Sequence, residues 1–483
     1  MIVFFRFRLW NNKFNIIKDN LGVTYMSWIL GYKKSCQWLG IVAVRMIMAI
    51  FLCCVLSLVP KAFAGDAVPD VWTGPDAVRF ALKNNPDAQI AIKRIASSSA
   101  AIKEANAAFY PQLGMQAGYS RTNNPMYSFG NILNQGVFSN SIDFNAPGET
   151  DDLQFMLQLT YRIYNGGRNQ AVVDAANARE KAAMLQEEAV KNSLGFAVVR
   201  SFFNIVQARE HVSARQAAVQ AIDASIAVAR ARFEAGDMLK QELLNLEVQQ
   251  SLAGEDLIQA QHGLVLSKQG FLNVLGLTGE KVNINLVQTP LQTVPTQPDF
   301  KGRSEIKAMH FLIQARQAGL RQAKSGYYPT ADAFGSYQAD KGFEMGSGSG
   351  DSWMAGIRVN MTLFDGKQTD ARVQQADIAL AQAKDELRKM ELAYGLEIRQ
   401  AVLTLDQTDK RCRVTEKMVV SAQESARLFR ERFNVGLVLS SELIDTENRL
   451  TEAQVRQALA NAEQRIAVAN LRRACGLLQY PEQ

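Results

Sequence analysis

Two hydrophobic patterns recur along this chain of 483 residues, and the first has a period of two. It is clearest between Leu153 and Ile163. Its apolar positions are Leu153, Phe155, Leu157, Leu159, Tyr161 and Ile163, and they alternate with Gln154, Met156, Gln158, Thr160 and Arg162. This period predicts a β-strand with one apolar and one polar face. Further strands are predicted by a weaker alternation at Leu113, Met115, Ala117 and Tyr119 and by a later one at Ile357, Val359, Met361 and Leu363.

The second pattern is helical. Stretches of about 68 residues without proline run from Asn165 to Arg232 and from Asp365 to Arg432, and they predict helices about 100 Å long. In the first stretch, small and apolar residues recur at alternating steps of four and three, which is coiled-coil spacing. They are Ala171, Ala175, Ala178, Ala182, Leu185, Ala189, Asn192, Phe196, Val199, Phe203 and Val206.

The two patterns belong to a repeated unit, because residues 164–277 recur at a constant offset of 200. Tyr164-Asn165-Gly166 returns as Phe364-Asp365-Gly366, Arg230-x-Arg232-Phe233-x-x-Gly236 as Arg430-x-Arg432-Phe433-x-x-Gly436, and Gly276-Leu277 as Gly476-Leu477. Tyr110-Pro111 matches Tyr328-Pro329 at an offset of 218, so one loop of the first copy is longer by 18 residues.

Each copy reads as helix, strand, loop, strand, long helix, turn and helix. The first helix is predicted over roughly 76–110 and its counterpart over 304–328, both ending before proline at Pro111 and Pro329. Asn165 and Asp365 are the predicted N-caps of the long helices, with Gly166 and Gly366 easing the bend from the strand.

The long helices are predicted to turn at Phe233 to Gly236 and at Phe433 to Gly436, and to return as helices to about 277 and 477. Gly195 and Gly395 occupy equivalent places in the long helices, which indicates a shared bend or close approach; the alternative is that Gly395 is a chance duplicate.

The predicted domain organisation is an N-terminal extension and signal peptide over 1–64, a first repeat over 65–277, a crossover linker over 278–303 and a second repeat over 304–478. Arg45, an apolar run from Met46 to Val59 and an A-x-A site ending at Ala64 are typical of a cleaved signal peptide. An uncleaved anchor is the alternative, a lipid anchor at Cys53 or Cys54 is weaker, and translation could begin at Met26 or Met46.

The charge balance and the cysteine content argue against a nucleic-acid-binding protein and against a protein held together by disulfides. Residues 65–483 hold 45 Lys and Arg against 46 Asp and Glu, so the basic balance belongs to the leader and nucleic-acid binding loses its support. Cys412 and Cys475, placed at different heights along the predicted hairpin, should not form a disulfide.

No catalytic or metal-binding pattern is visible, and we therefore predict no cofactor and no enzymatic activity. His211, His262 and His310 lack metal-ligand spacing. The glycine-rich stretch from Gly346 to Gly350 lacks the Lys and Ser/Thr of a phosphate-binding loop and reads as an outward-facing loop between two strands.

The strands can be interpreted in two ways. An alternating strand is typical of a soluble sandwich, but this chain offers too few strands for a second sheet. With an export signal, the strand length fits a membrane β-barrel, whose strands span about 9–11 residues. Four strands per chain cannot close a barrel, so the barrel would require several chains.

These repeated motifs resemble the TolC-like outer-membrane channel family, also called outer-membrane efflux proteins. The resemblance covers about residues 74–478 and rests on the order, duplication and spacing of the Tyr-Pro, aromatic-x-Gly, Phe-x-x-Gly and Gly-Leu motifs. It implies an α+β membrane protein: a homotrimer in which four strands per chain form one 12-stranded barrel in the outer membrane, continued by a long α-helical coiled-coil barrel across the periplasm.

The resemblance also implies a gate near the hairpin turns. Family members carry acidic residues six and nine positions after the second turn glycine, which are here Glu442 and Asp445, while the first copy has Glu242 and Asn245. Three chains would place six carboxylates around one constriction and favour cations. The alternative is that these are solvated charges favoured by the helix dipole. This chain has Phe433 and Val438 near the turn, where some relatives have hydroxyl and guanidinium groups that can help latch the entrance. The resemblance therefore gives no support for a hydrogen-bonded latch at these two positions.

The leading hypothesis is a passive duct that works with a periplasmic adaptor and an inner-membrane pump of the RND, ABC or MFS type, in contact with outer-membrane lipid. The cargo is either small toxic molecules, as in efflux, or an unfolded polypeptide, as in type I secretion. A periplasmic adaptor or structural coiled coil is the alternative from a different class, and a soluble enzyme is more distant.

Overall fold

The computed structural model describes residues 69–279, 281–344 and 347–480, so the predicted signal peptide lies outside the described residues. The helices are α1 (Gly74–Asn84), α2 (Pro86–Ala107), α3 (Pro125–Asn134), α4 (Arg168–Glu234), α5 (Lys240–Leu275), α6 (Ser304–Lys324), α7 (Gln368–Asn434) and α8 (Ser440–Ala474). The strands are β1 (Gln112–Thr122), β2 (Thr150–Tyr164), β3 (Thr330–Lys341) and β4 (Ser349–Asn360).

The duplication predicted from sequence is present in the fold. The long helices α4 and α7 have 67 residues each, and they return as α5 and α8 with 36 and 35 residues. All eleven coiled-coil positions named for α4 are buried or half-buried. Each long helix runs unbroken past its inner glycine, where another segment lies close: a Cβ at Gly195 would be 3.2 Å from Gln479 Cγ, and one at Gly395 would be 3.6 Å from Phe300 Cε1.

The prediction of a single first helix over 76–110 is wrong. The chain leaves the helical region at Asn85, with φ −66° and ψ 135°, because Pro86 cannot continue a helix and excludes its predecessor from one. α2 ends at Ala107, before the Tyr-Pro motif. The counterpart predicted over 304–328 ends as an α-helix at Lys324 and continues as a single 3₁₀ turn over Ser325–Tyr327.

Each copy joins its return helix to its short helix through an equivalent contact. In the first copy, Asn85 Nδ2 donates to the carbonyl of Val274 at 2.8 Å. In the second, the Arg303 guanidinium donates to the carbonyl of Ala474 at 3.3 Å. The donors are 218 residues apart and the acceptors 200 apart, the two offsets found in the sequence. The same contact between the two helices is therefore made by the Asn85 amide in the first copy and by the charged Arg303 guanidinium in the second. We call this contact the joint.

The charged joint needs partners because Arg303 is buried. Its guanidinium pairs with Glu305 at 2.6 Å and Glu397 at 2.7 Å, and it lies 3.8 Å from the centre of the Tyr394 ring. Burial acts to raise the pKa of Glu305, but the hydrogen bonds to its carboxylate from Arg303 and the backbone, together with the positive charges of Arg303 and Arg473, lower that pKa overall. Cys412 and Cys475 are free thiols, as predicted.

The four strands form one antiparallel sheet in the order β1-β2-β3-β4. One row of the register runs through Met115, Leu157, Tyr337 and Trp353, and the next through Gln116, Met156, Gln338 and Ser352. The period of two thus continues across the sheet as an apolar face and a more polar face. The prediction for the last strand is wrong at both ends: β4 begins at Ser349 and ends at Asn360, before Met361 and Leu363.

The apolar face of the sheet is bare in the described chain. Met115, Trp353 and Ile357 are 75%, 77% and 70% exposed. β1 and β4 each pair with a neighbour on one side, so within this chain they are the edges of the sheet.

Among the described residues, no helix has a segment both long and apolar enough to cross a membrane.

Candidate functional site at the hairpin turns

Both hairpins turn by the same backbone device, as their shared motif predicts. Gly236 and Gly436 have φ values of 83° and 79°, in the left-handed region that favours glycine. In the first turn, Gly236 N donates to the carbonyl of Phe233 and Asp237 N to that of Arg232; the second repeats both bonds at an offset of 200. These are Schellman motifs, which satisfy the last carbonyls of the long helices.

The two turn phenylalanines are not equivalent. Phe433 is 1% exposed, whereas Phe233 is 39% exposed. Phe433 belongs to an apolar cluster that includes Ile222, Leu246 and Leu443, so it joins residues of both hairpins. The second turn is therefore anchored against the first hairpin.

Two charged side chains of the first hairpin reach the helix ends of the second. Arg232 donates to the carbonyl of Phe433, at the end of α7, at 3.0 Å. The Glu242 carboxylate accepts from Ser440 N, at the start of α8, at 2.8 Å and also from the Ser440 hydroxyl. A cation at a helix C-terminus and an anion at an N-terminus both complement the helix dipoles. We call Arg232, Glu242, Phe433 and Ser440 the turn clasp.

Glu242, which the sequence grouped with the gate carboxylates, is thus committed to the turn clasp. The sequence pairs it with Glu442 by offset but does not show that its partner lies 198 residues away. Arg232 and Ser440 were missed as site residues. The replacement of Lys240 by Ser440 at equivalent positions is the sequence signal that was available, since a small hydroxyl suits a buried helix start.

Glu442 and Asp445 lie exposed on the first turns of α8. Glu442 accepts from Leu439 N of its own helix start at 3.1 Å. Asp445 forms an ion pair with Arg449 at 2.7 Å, in which both side chains are largely exposed. Their spacing of three places them on one face of the helix. The second hairpin therefore exposes two carboxylates, those of Glu442 and Asp445. At the equivalent positions of the first hairpin, Glu242 caps α8 and Asn245 carries an uncharged amide.

A further duplicated ion pair links the two arms of each hairpin. Arg230 lies 3.5 Å from Glu247. Arg430 donates to Glu447 through two nitrogens, and Glu447 is 3% exposed. Hydrogen bonding to Glu447 raises the pKa of Arg430. The second hairpin thus has the more buried pair behind its exposed acidic face.

The other predicted positions lie at the strand-to-helix junctions. Pro111 and Pro329 directly precede β1 and β3. Gly166 and Gly366 have φ values of 65° and 67°, and a side chain at Gly166 would collide with Tyr328.

The predicted N-caps are displaced from the helix ends. Gly167 and Lys367 occupy the N-cap positions themselves, without a side-chain bond. The Asp365 carboxylate nevertheless accepts from the backbone of Gln368 at 3.0 Å and Thr369 at 2.8 Å, so it still satisfies the first turn of α7.

Comparison with known proteins places this architecture in a wider group. The sequence model of a family described as outer membrane efflux protein matches residues 77–277 and 301–477. Protein CyaE of Bordetella pertussis is 24% identical over 446 residues, covering 87% of this chain and 90% of CyaE. Outer membrane protein TolC of Vibrio cholerae is 21% identical over 444 residues, covering 88% and 95%.

The fold likeness extends to solved structures. The Campylobacter jejuni CmeC outer membrane channel aligns with a TM-score of 0.74 at 16% identity, covering 88% of this chain and 92% of that chain. At this identity the match establishes the fold, in which long helical hairpins continue from a sheet.

The turn clasp makes a prediction about local stability. We expect Glu242→Ala to remove the cap on Ser440 and destabilise the start of α8 by about 1–2 kcal/mol, because a helix N-cap contributes about that much. Hydrogen–deuterium exchange should show faster exchange of the Ser440 amide. Glu442→Ala is the matched control, since it removes the bond to Leu439 and leaves that to Ser440. Unchanged exchange at Ser440 in the Glu242 variant would contradict the clasp.

Proposed function

This chain belongs to the outer membrane efflux protein family, and on that premise we propose that it is the outer-membrane exit duct of a tripartite export system. Its cargo is small toxic molecules, which it conducts passively from the periplasm to the exterior. The bare apolar face of the sheet carries this proposal. Leu113, Met115 and Trp353 are each more than 70% exposed, a costly arrangement in water and a favourable one in lipid.

Three copies of the chain close the barrel. The unpaired edges of β1 and β4 need partners in the membrane, where free N–H and C=O groups cost several kcal/mol each. The interior of an eight-stranded barrel is filled by side chains, so two copies leave no duct. Three copies are the smallest number that leaves an open duct, and together they give twelve strands. The more polar face, with Gln116, Gln158 and Gln338, then lines the lumen.

The helices extend this lumen through the periplasm. α4 and α7 continue from β2 and β4 for about 100 Å each, at 1.5 Å per residue. Three chains contribute six hairpins of nearly equal length around the same axis. The small residues at coiled-coil spacing allow these helices to pack closely into a wall.

The duct narrows at the hairpin turns. Glu442 and Asp445 of three chains form a ring of six carboxylates at the periplasmic entrance, which attracts cations and is absent from the first hairpins. Their exposure and common helix face support this assignment. The turn clasp holds the second hairpin against the first, so opening the entrance requires contacts such as Glu242 to Ser440 to shift.

A pump and an adaptor supply what this chain does not. The sequence has no nucleotide-binding motif, so the energy for export comes from an inner-membrane pump of the RND, ABC or MFS type. A periplasmic adaptor joins that pump to the hairpin end of the duct. The family, which is described as outer membrane efflux protein, is the support for these partners.

The barrel proposal is tested by a charge placed on either face of β2. We expect Leu157→Arg to prevent stable assembly in the outer membrane, because arginine on the lipid face costs about 2–4 kcal/mol at the midplane. Gln158→Arg is the matched control: it is the next residue on the same strand and faces the lumen. Fractionation and heat resistance of the oligomer measure assembly. Normal assembly of the Leu157 variant would contradict a lipid-facing sheet.

The gate proposal is tested by ion selectivity. We expect Glu442→Ala with Asp445→Ala to lower the preference of single channels for cations in planar bilayers, because six negative charges leave the constriction. Asn245→Ala, at the equivalent place in the first hairpin, should leave selectivity unchanged. Equal selectivity of the double variant and the natural protein would remove both carboxylates from the constriction.

The cargo is tested in the native host. We expect deletion of the gene to make cells severalfold more sensitive to small toxic compounds, with resistance restored by the natural protein and not by Leu157→Arg. Unchanged sensitivity together with loss of a secreted polypeptide would contradict efflux and assign type I secretion instead.

A further inference from the structure

The connection between β1 and β2 is longer than its counterpart in the second copy. It spans residues 123–149 and contains α3, whereas β3 and β4 are joined by residues 342–348. This connection accounts for the difference between the two sequence offsets. We call residues 123–149 the rim segment; it lies at the end of the sheet opposite the strand-to-helix junctions.

The rim segment folds over the more polar face of the sheet. Gln135 is 3% exposed, and its Nε2 donates to the carbonyl of Asp151 at 2.7 Å and lies 3.3 Å from the Asp152 carboxylate. Asp152 and Gln154 share the more polar face of β2, since side chains two residues apart point the same way. This is the face that lines the lumen in the proposed barrel.

Three glycines of the opposite hairpin make room for the rim segment. A Cβ at Gly342 would collide with the Gln135 side chain, and one at Gly350 with the Asn134 carbonyl. At Gly348 it would collide with the Gln135 carbonyl and with Val137. Gly350 pairs with Asp340, which pairs with Gln154 on the more polar face of β2. Gly342 and Gly348 lie two residues along the chain from Asp340 and Gly350, so all three glycines belong to the same face. In the glycine-rich stretch that the sequence predicted as an outward-facing loop, Gly348 and Gly350 therefore form the seat of the rim segment.

α3 has a buried side and an exposed apolar side. Ser128 and Ile132 are fully buried, one helical turn apart. Met126 and Leu133, on the opposite side at helical spacing, are 69% and 51% exposed. Gly130 lies between them with open space around it. The exposed side of α3 thus points away from the sheet, toward the interior of the proposed barrel.

The remainder of the rim segment is held by its own aromatic cluster. The rings of Phe129 and Phe144 lie 4.6 Å apart, and that of Phe138 lies 5.8 Å from Phe129. A loop that packs against the sheet and has an apolar cluster of its own holds one position on the sheet.

We propose that the rim segments of three chains form a second constriction at the outer mouth, with Met126 and Leu133 facing the axis. This inference rests on the proposed trimeric barrel. Twelve strands at a spacing of about 4.8 Å and a tilt of about 40° give a barrel about 24 Å across between backbones. Three helices, each about 10 Å in diameter with side chains, leave little open space in such a mouth.

An apolar constriction acts differently from the carboxylate ring at the other end. Apolar walls disfavour continuous water and so impede hydrated ions, while apolar solutes displace that water readily. The duct then has a charged entrance and an apolar exit. The exit admits outgoing apolar cargo and excludes polar solutes from outside.

The experiment compares channels of the full oligomer in planar bilayers. One variant replaces residues 123–149 by the short connection of residues 342–348, and a second carries Met126→Ser with Leu133→Ser. We expect severalfold higher conductance in the first and a clear increase in the second. Phe343→Ser is the matched control, since it alters an exposed apolar residue of the other connection at the same rim.

The outcomes separate this inference from the proposed function. If natural and variant proteins form heat-resistant oligomers that conduct equally, the outer constriction is wrong and the duct stands. If neither the natural oligomer nor any of the variants conducts, the duct is wrong and the constriction falls with it. Raised conductance in both variants, without a change in the Phe343 variant, supports the constriction.

Discussion

Backbone hydrogen bonding at the two edges of the sheet is the constraint on which the rest of the structure depends. β1 and β4 pair along their length on one side, and each offers the other side unpaired. The exposed apolar face favours lipid, where an open edge is too costly to persist. Pairing β1 of one copy with β4 of the next would satisfy the backbone groups of both edges and leave the apolar face in contact with lipid. Because α4 and α7 continue from the strands, copies that share a barrel axis must also share the axis of the helices.

The duplication supplies equivalent parts, and small differences between the copies give them different tasks. Both hairpins use the same Schellman turn, yet Phe433 is buried and Phe233 is half-exposed. Both return helices have a glutamate in the first turn; Glu242 caps the neighbouring hairpin, while Glu442 remains exposed. The connection that differs in length between the copies places α3 against one end of the sheet. Asymmetry is thus concentrated at the two ends of the proposed duct.

Sequence reasoning succeeded where the fold depends on local periodicity. The alternation from Leu153 to Ile163 predicted β2, and the repeated turn motifs predicted both hairpins. The break before Pro86 was missed although the proline was visible in the sequence. The contact of Glu242 with Ser440 and the seat of the rim segment join residues about 200 apart. The change from Lys240 to Ser440 indicates a buried helix start but not its partner, because such contacts are set by how the two copies pack.

The most direct test of the shared barrel is a cross-link between the free edges of neighbouring chains. In a protein whose native cysteines are replaced by serine, Gln116→Cys on β1 would be combined in turn with Ser352→Cys, Met354→Cys and Gly356→Cys on β4, all on the lumen face. Oxidation of the assembled membrane protein should give, for at least one pair, dimers and trimers on a denaturing gel and nothing larger. Monomers alone from every pair, or a ladder that continues beyond three chains, would contradict the closed trimeric barrel.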